Sequence, residues 1–315
     1  MNCLDSGTKK DVLNSIIYWL SRPYALLLAA AFLLIPSASL LHALESGADF
    51  LNIGAASRAS AMGSAYTAMA ADPAAMYYNP GGLALSARGA SLTHAAWALG
   101  GSYDFAAAAF PVAGLKAGVS FTRLDHGSLD GRNADGGSSG GFSAADKALG
   151  LGLAGTSGGF SLGASVKFLS SDIAGYGASA VAFDLGAVHK PASSPLKLGL
   201  AVRNLGSGFK YAEKREALPL SMSAGAALAV LPTMNLAAEF TRMVNERRNT
   251  FSIGTEYSLV GGLALRGGYA AAASGSQGAM SGGIGFSAGS MRLDYSFSPF
   301  GDFDTTRKLS LAMAF

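Results

Sequence analysis

The chain has 315 residues, 50% of them hydrophobic and only 14% charged, against about 25% charged in an ordinary soluble domain. A mean hydropathy of +0.31 with a formal net charge of +3 excludes intrinsic disorder, and the basic residues are not clustered as a nucleic-acid surface requires. Glycine, at 42 residues, is about twice its usual frequency, which disfavours helices, and the lack of a Gly-X-Y period excludes collagen.

Lys9, Lys10 and Arg22 precede an apolar run from Tyr24 to Ile35, then Pro36 and small residues, which is the layout of a secretory signal. Residues 1–43 are read as a leader, cleaved after Ser39 or Ala43. The twelve-residue run would span about 18 Å as a helix, short of the ~30 Å hydrocarbon core, which argues against a retained anchor. The only cysteine, Cys3, falls inside the leader, so a mature chain would carry no thiol into an oxidising compartment.

From residue 89 onward the pattern has a period of two. Leu115, Ala117, Val119 and Phe121 alternate with Lys116, Gly118, Ser120 and Thr122, and Phe160, Leu162, Ala164, Val166 and Phe168 alternate with Ser161, Gly163, Ser165 and Lys167. This alternation predicts fourteen strands near 89–98, 102–111, 115–126, 145–155, 159–169, 178–189, 196–205, 218–229, 233–243, 248–258, 262–271, 279–287, 290–298 and 306–315. Most are about ten residues long, the length a tilted strand needs to cross a bilayer. An even number of antiparallel strands closes without an exposed edge, so the expected fold is an all-β transmembrane barrel.

Connections after even-numbered strands are short (112–114, 156–158, 190–195, 230–232, 259–261, 288–289), whereas 127–144, 206–217, 272–278 and 299–305 are longer. Segments 99–101 and 244–247 fall on the long side yet are short, so the asymmetry is incomplete. It predicts periplasmic turns, external loops, and both termini in the periplasm. One strand face collects Lys116, Lys167, Asp184, Lys197, Arg203, Glu239, Glu256, Arg266, Arg292 and Asp294, and the other is almost wholly apolar in mid-strand. A charge facing lipid at mid-bilayer costs about 2–4 kcal/mol, so these residues are expected in the lumen. A soluble barrel would reverse this polarity. The chain ends in Leu309, Leu311, Met313 and Phe315 on one face, which resembles the terminal signal by which barrel assembly machinery recognises outer-membrane proteins.

Residues 44–88 break the alternation, with a candidate helix from Ser57 to Ala70 and a Pro-Gly-Gly turn after Tyr78. Arg58, Ala59, Ala61, Met62, Gly63, Ala65, Tyr66 and Ala68, then Asp72, then Asn79, Pro80, Gly82 and Leu83 form a pattern spanning about thirty residues. It resembles the FadL-type outer-membrane transporters, and more closely their PorV/PorQ and spirochaete relatives. Later echoes such as Arg203-Asn204-Leu205-Gly206 and Leu293-Asp294-Tyr295 extend the resemblance over nearly all of the mature chain. It implies an N-terminal, partly helical hatch (44–88) inside a fourteen-stranded barrel (89–315), with Arg58, Met62, Gly63, Asp72, Asn79, Pro80, Gly81, Gly82 and Leu83 as ligand-binding or gating residues. Gly81 departs from the family pattern, which has alanine there, and is expected to loosen the turn. Arg58 and Asp72 could pair with each other or latch onto lumen charges such as Glu256 or Arg266.

His94, His126 and His189 are scattered with no partner at metal or triad spacing, and no GxSxG, Walker or HExxH motif occurs. No enzyme, cofactor or metal is expected. The resemblance implies a passive outer-membrane transporter for hydrophobic small molecules such as long-chain fatty acids, with outer-membrane lipid around it. A second reading, from the PorV likeness, is a partner of secretion-system proteins, and a third is a structural barrel or adhesin.

Overall fold

The computed structural model describes residues 47–97, 100–191, 194–211, 214–272, 278–299 and 305–315. The leader read at 1–43 lies outside these residues. The alternating segments form β1 (Gly89–Ala96), β2 (Ser102–Val112), β3 (Leu115–Arg132), β4 (Ser138–Ser157), β5 (Phe160–Ile173), β6 (Tyr176–His189) and β7 (Leu196–Gly206). After two short strands, β8 (Phe209–Tyr211) and β9 (Lys214–Glu216), come β10 (Ser221–Leu231), β11 (Met234–Met243), β12 (Arg248–Ser258), β13 (Leu263–Ala272), β14 (Ala279–Ala288), β15 (Met291–Pro299) and β16 (Thr305–Ala314). All but β8 and β9 join a closed antiparallel barrel of fourteen strands, which β1 completes by pairing with β16, Leu92 opposite Leu311.

Side-chain polarity follows the pleat. On β16, Thr306, Lys308 and Ser310 are buried, while Leu309, Leu311 and Met313, of the opposite parity, are exposed. The same inversion runs round the barrel: Leu162, Phe183, Phe251, Ile284 and Phe286 face outward, and Ser165, Asp184, Ser252 and Asp294 face inward. An exterior this apolar over an interior this polar suits a lipid surround and is the reverse of a soluble barrel. Among the described residues no helix is long and apolar enough to cross a membrane.

The connections 113–114, 158–159, 232–233, 259–262 and 289–290 lie at one end of the barrel, the turn end, while the two-residue β5–β6 connection, 174–175, lies at the other. At the opposite, loop end the expectation of a loop at 127–144 is corrected. β3 and β4 run for 18 and 20 residues and pair out to Arg132 opposite Ser138. The alternation of greasy and polar residues fades there because both faces of this ribbon meet water. Segment 206–217 is also not wholly irregular, since Phe209 and Tyr211 pair with Glu216 and Lys214, and Phe209 is buried.

Residues 47–88 lie inside the barrel. Gly47 donates its amide to Ala217 O (2.9 Å), and Asn52 Nδ2 donates to Glu246 Oε1 (2.9 Å), both at the loop end. The chain then descends through a 3-10 turn (Asp49–Asn52), α1 (Ser57–Ala61), α2 (Ala75–Tyr78) and a second 3-10 turn (Pro80–Leu85) to enter β1 at the turn end. The start of the described chain therefore sits at the loop end and its finish at the turn end. The expectation that both termini share one side concerns a start that lies outside the described residues. The expected helix over 57–70 is also shorter: it stops at Met62 because Gly63 and Ser64 take left-handed backbone (φ 64° and 66°), which glycine adopts without strain.

Candidate functional site: the segment–wall interface

The inner segment touches opposite walls. α1 packs against β13, β14, β15 and β16, and the Pro80–Leu85 turn packs against β3, β4, β5 and β6. Small residues allow this approach. Gly81 stands where the family pattern has alanine, and a Cβ there would lie 2.8 Å from the backbone of Gly186. The glycine thus fits the turn to the wall rather than loosening it, a correction to the expectation above. Asn79 fixes the same turn: its Oδ1 accepts from Gly81 N (3.0 Å), and its Nδ2 donates to Thr67 O (2.8 Å) and Ala187 O (3.1 Å). Met62 and Leu83 are fully buried, and Pro80 and Gly82 are buried.

The charged residues form a closed ring. Arg58 Nε and Nη2 donate to Glu256 Oε2 and Oε1, each at 2.7 Å. Glu256 Oε2 also accepts from Arg266 Nε (2.7 Å), Arg266 Nη1 donates to Asp294 Oδ1 (2.8 Å), and Arg292 Nε donates to Asp294 Oδ2 (2.8 Å). Arg292 Nη2 closes the circuit by donating to Asp72 Oδ2 at 3.0 Å, which leaves Arg58 Nη1 3.9 Å from the same oxygen. Of the contacts the sequence left open, that between Arg58 and Glu256 is made, and Asp72 meets Arg292. Three guanidinium groups and three carboxylates sum to zero, so the ring is buried without net charge. Two of its members, Arg58 and Asp72, belong to the segment, and four belong to β12, β13 and β15.

Tyr66 crosses the ring. Its hydroxyl accepts from Arg58 Nη1 (3.1 Å) and donates to Asp72 Oδ2 (2.8 Å). Burial pushes its phenol well above the ordinary tyrosine range, against the pull of the Arg58 charge, so it stays protonated and able to donate. One step along, Glu239 Oε2 on β11 accepts the backbone amides of Tyr66 (2.9 Å) and Thr67 (2.7 Å), a second polar clasp.

The remaining lumen charges do not join the ring. Lys167 pairs with the fully buried Asp184 at 2.9 Å and donates to Asn204. Asn204 lies in a bulge where the β6–β7 register shifts, with φ 63°, and its amide donates to Asp184 Oδ1 at 2.8 Å. Arg203 stacks 5.4 Å from the ring centroid of Tyr77. Lys116 and Lys197 are half-buried near the turn end. Lys308, unnamed by the sequence reading although it shares the inward parity of β16, is buried beside the segment and donates to Gly54 O.

The three histidines among the described residues lie apart: His94 meets Asp104 on the outer face, His126 meets Asp146 at the loop end, and His189 stacks on Phe160 at the turn end. Among the described residues no group of three or more His, Cys, Asp or Glu side chains is placed to hold a metal. Phe315 donates its amide to Arg88 O (3.0 Å) and its ring lies 5.0 Å under the Arg88 guanidinium, tying the chain's end to the start of the barrel.

No protein-family model matches the sequence, and no curated protein matches it. Solved structures do match in shape. The Ralstonia pickettii toluene transporter TbuX superposes with a TM-score of 0.63 at 14% identity, over 84% of this chain and 99% of that one. The Pseudomonas putida toluene transporter TodX gives 0.64 at 14% identity over 83% and 99%, and the monoaromatic hydrocarbon channel CymD gives 0.62 at 12% over 84% and 98%. At such identities the likeness is one of fold, and the chain has the barrel fold of these hydrocarbon transporters.

Proposed function

We propose that this protein is a passive outer-membrane transporter of hydrophobic small molecules, in the manner of the FadL type, and that residues 47–88 are its hatch. The observation that carries this reading is the ring: a segment is held across the barrel by a charge network to which it contributes Arg58 and Asp72. Such contacts are strong enough to keep a lumen closed, and they lie on a part of the chain that can shift without unpairing a strand. The apolar exterior supports a site in the bilayer, with the long β3–β4 ribbon external. The shared fold with toluene transporters and a monoaromatic hydrocarbon channel supports apolar cargo over ions. No energy source is needed, because flow follows the gradient.

Uptake tests the reading. Cells displaying the folded barrel should take up radiolabelled toluene or oleate faster than cells without it, equally with and without an uncoupler. Uptake equal to that of control cells, with the barrel present and heat-modifiable, would favour the secretion-partner reading.

A further inference from the structure

Between α1 and the β13–β16 wall lies a cavity of about 160 Å³, lined among others by Ser60, Trp97, Ser281, Ser298, Thr306 and Lys308. Ser298 and Thr306 stand at the loop-end limits of β15 and β16, so the cavity faces that end of the barrel. At its base is Lys308, only 4% exposed.

Lys308 differs from the other deeply buried lumen cation. Arg266 has Glu256 and Asp294 as counter-charges, whereas among the described residues no carboxylate lies within 4.0 Å of the Lys308 ammonium. It donates to Gly54 O and to Ser60 Oγ (3.2 Å) and sits 5.7 Å from the Tyr103 ring centroid. These contacts supply dipoles and a π face but no negative charge, and a buried ammonium without one is costly. Ser60 accepts from the lysine, which leaves its own hydroxyl hydrogen to donate.

We infer that this cavity binds a small monocarboxylate, whose carboxylate is held by Lys308 and the Ser60 hydroxyl and whose body lies against Trp97. One ammonium balances one negative charge, so a monoanion fits and a phosphate dianion is left undercompensated. The volume is below the ~300–1,000 Å³ of sites for drug-sized molecules, so the part of the ligand that the cavity encloses is a short chain or a single ring. The inference goes beyond hydrophobic transport and holds whether or not the ligand then crosses the barrel.

Trp97 supplies the readout, and Trp97→Phe separates its signal from that of the only other tryptophan in the sequence, Trp19. The purified full-length barrel in neutral detergent is titrated with benzoate, with its neutral isostere benzamide, and with inorganic phosphate, while tryptophan emission is followed. Benzoate should give a saturable change that is absent in Trp97→Phe, and benzamide and phosphate should give none over the same range. Lys308→Met should weaken benzoate about tenfold or more, and Lys308→Arg should retain it within a few-fold. An equal response to benzoate and benzamide, or no saturable response in a heat-modifiable wild-type barrel, overturns the site without needing any variant. So does an unchanged titration in folded Lys308→Met. Toluene uptake in parallel separates the two readings: uptake without benzoate binding removes only the site, and binding without uptake removes only the transporter.

Discussion

Arg58 and Glu256, 198 residues apart in the chain, meet side-on, with Nε and Nη2 of the guanidinium each 2.7 Å from a carboxylate oxygen. Glu256 also serves Arg266, so the two partners are not equivalent. Without Arg58, Glu256 keeps one cation. Without Glu256, two arginines lose a counter-charge. Breaking a buried pair typically costs about 3–5 kcal/mol. We therefore expect Glu256→Gln to destabilise the seated segment by about that amount and Arg58→Gln by less. Chymotrypsin cleavage within 47–88 of the folded barrel, which offers Phe50, Tyr66 and Tyr77, would report it, and equal protection in both variants and wild type would contradict it.

The fit of the Asn79–Leu83 turn to the wall predicts a steric effect. An added Cβ at Gly186 would lie 2.0 Å from Asn79 Oδ1, whereas one at Gly267 meets nothing nearer than 4.0 Å. Gly186→Val should unseat the turn and raise protease sensitivity of the segment, and Gly267→Ala should not. Equal behaviour of the two variants would show that the turn is not seated there.

The path of the segment predicts an uneven topology. Asp49 is exposed at the loop end, near Asn52 and its bond to Glu246, and Ser138 is exposed at the start of β4. In intact cells, cysteine at either position should react with an impermeant maleimide. Labelling of Ser138→Cys alone would return the start of the segment to the periplasmic side.

Much of this was readable from residue order, for a physical reason. A bilayer outside and a polar lumen inside impose opposite chemistry on successive residues, so Leu162, Ala164, Val166 and Phe168 announce a strand on their own. The ring members on β12, β13 and β15 follow from the same parity. Their pairing does not, because it depends on where an irregular segment crosses the lumen: residue order leaves several partners open to Arg58 and Asp72, and the structure pairs Asp72 with Arg292. Lys308 went unnoticed beside the conspicuous outward row Leu309, Leu311 and Met313, although Thr306, Lys308 and Ser310 form an equally regular inward row. The β3–β4 ribbon escaped because strand residues with water on both sides have no alternation to show.

Phe315 has two tasks that can be told apart. Its ring contact with Arg88 and its backbone bond to Arg88 O close the barrel seam, and its terminal aromatic is the proposed assembly signal. Phe315→Ala should lower the heat-modifiable barrel in the outer membrane, whereas Arg88→Gln, which removes only the cation–π contact of about 0.5–1 kcal/mol, should leave yield nearly unchanged. Equal losses would assign the effect to seam stability.

The proposed role of residues 47–88 as a hatch is tested most directly by single-channel conductance in planar bilayers, comparing wild type with Arg58→Gln and with deletion of residues 47–86. Weakening the seat by ~1.4 kcal/mol raises the open fraction about tenfold while opening is rare. The account predicts a nearly silent wild type, brief openings in Arg58→Gln, and a large steady conductance in the deletion. Three folded barrels with the same conductance would contradict it.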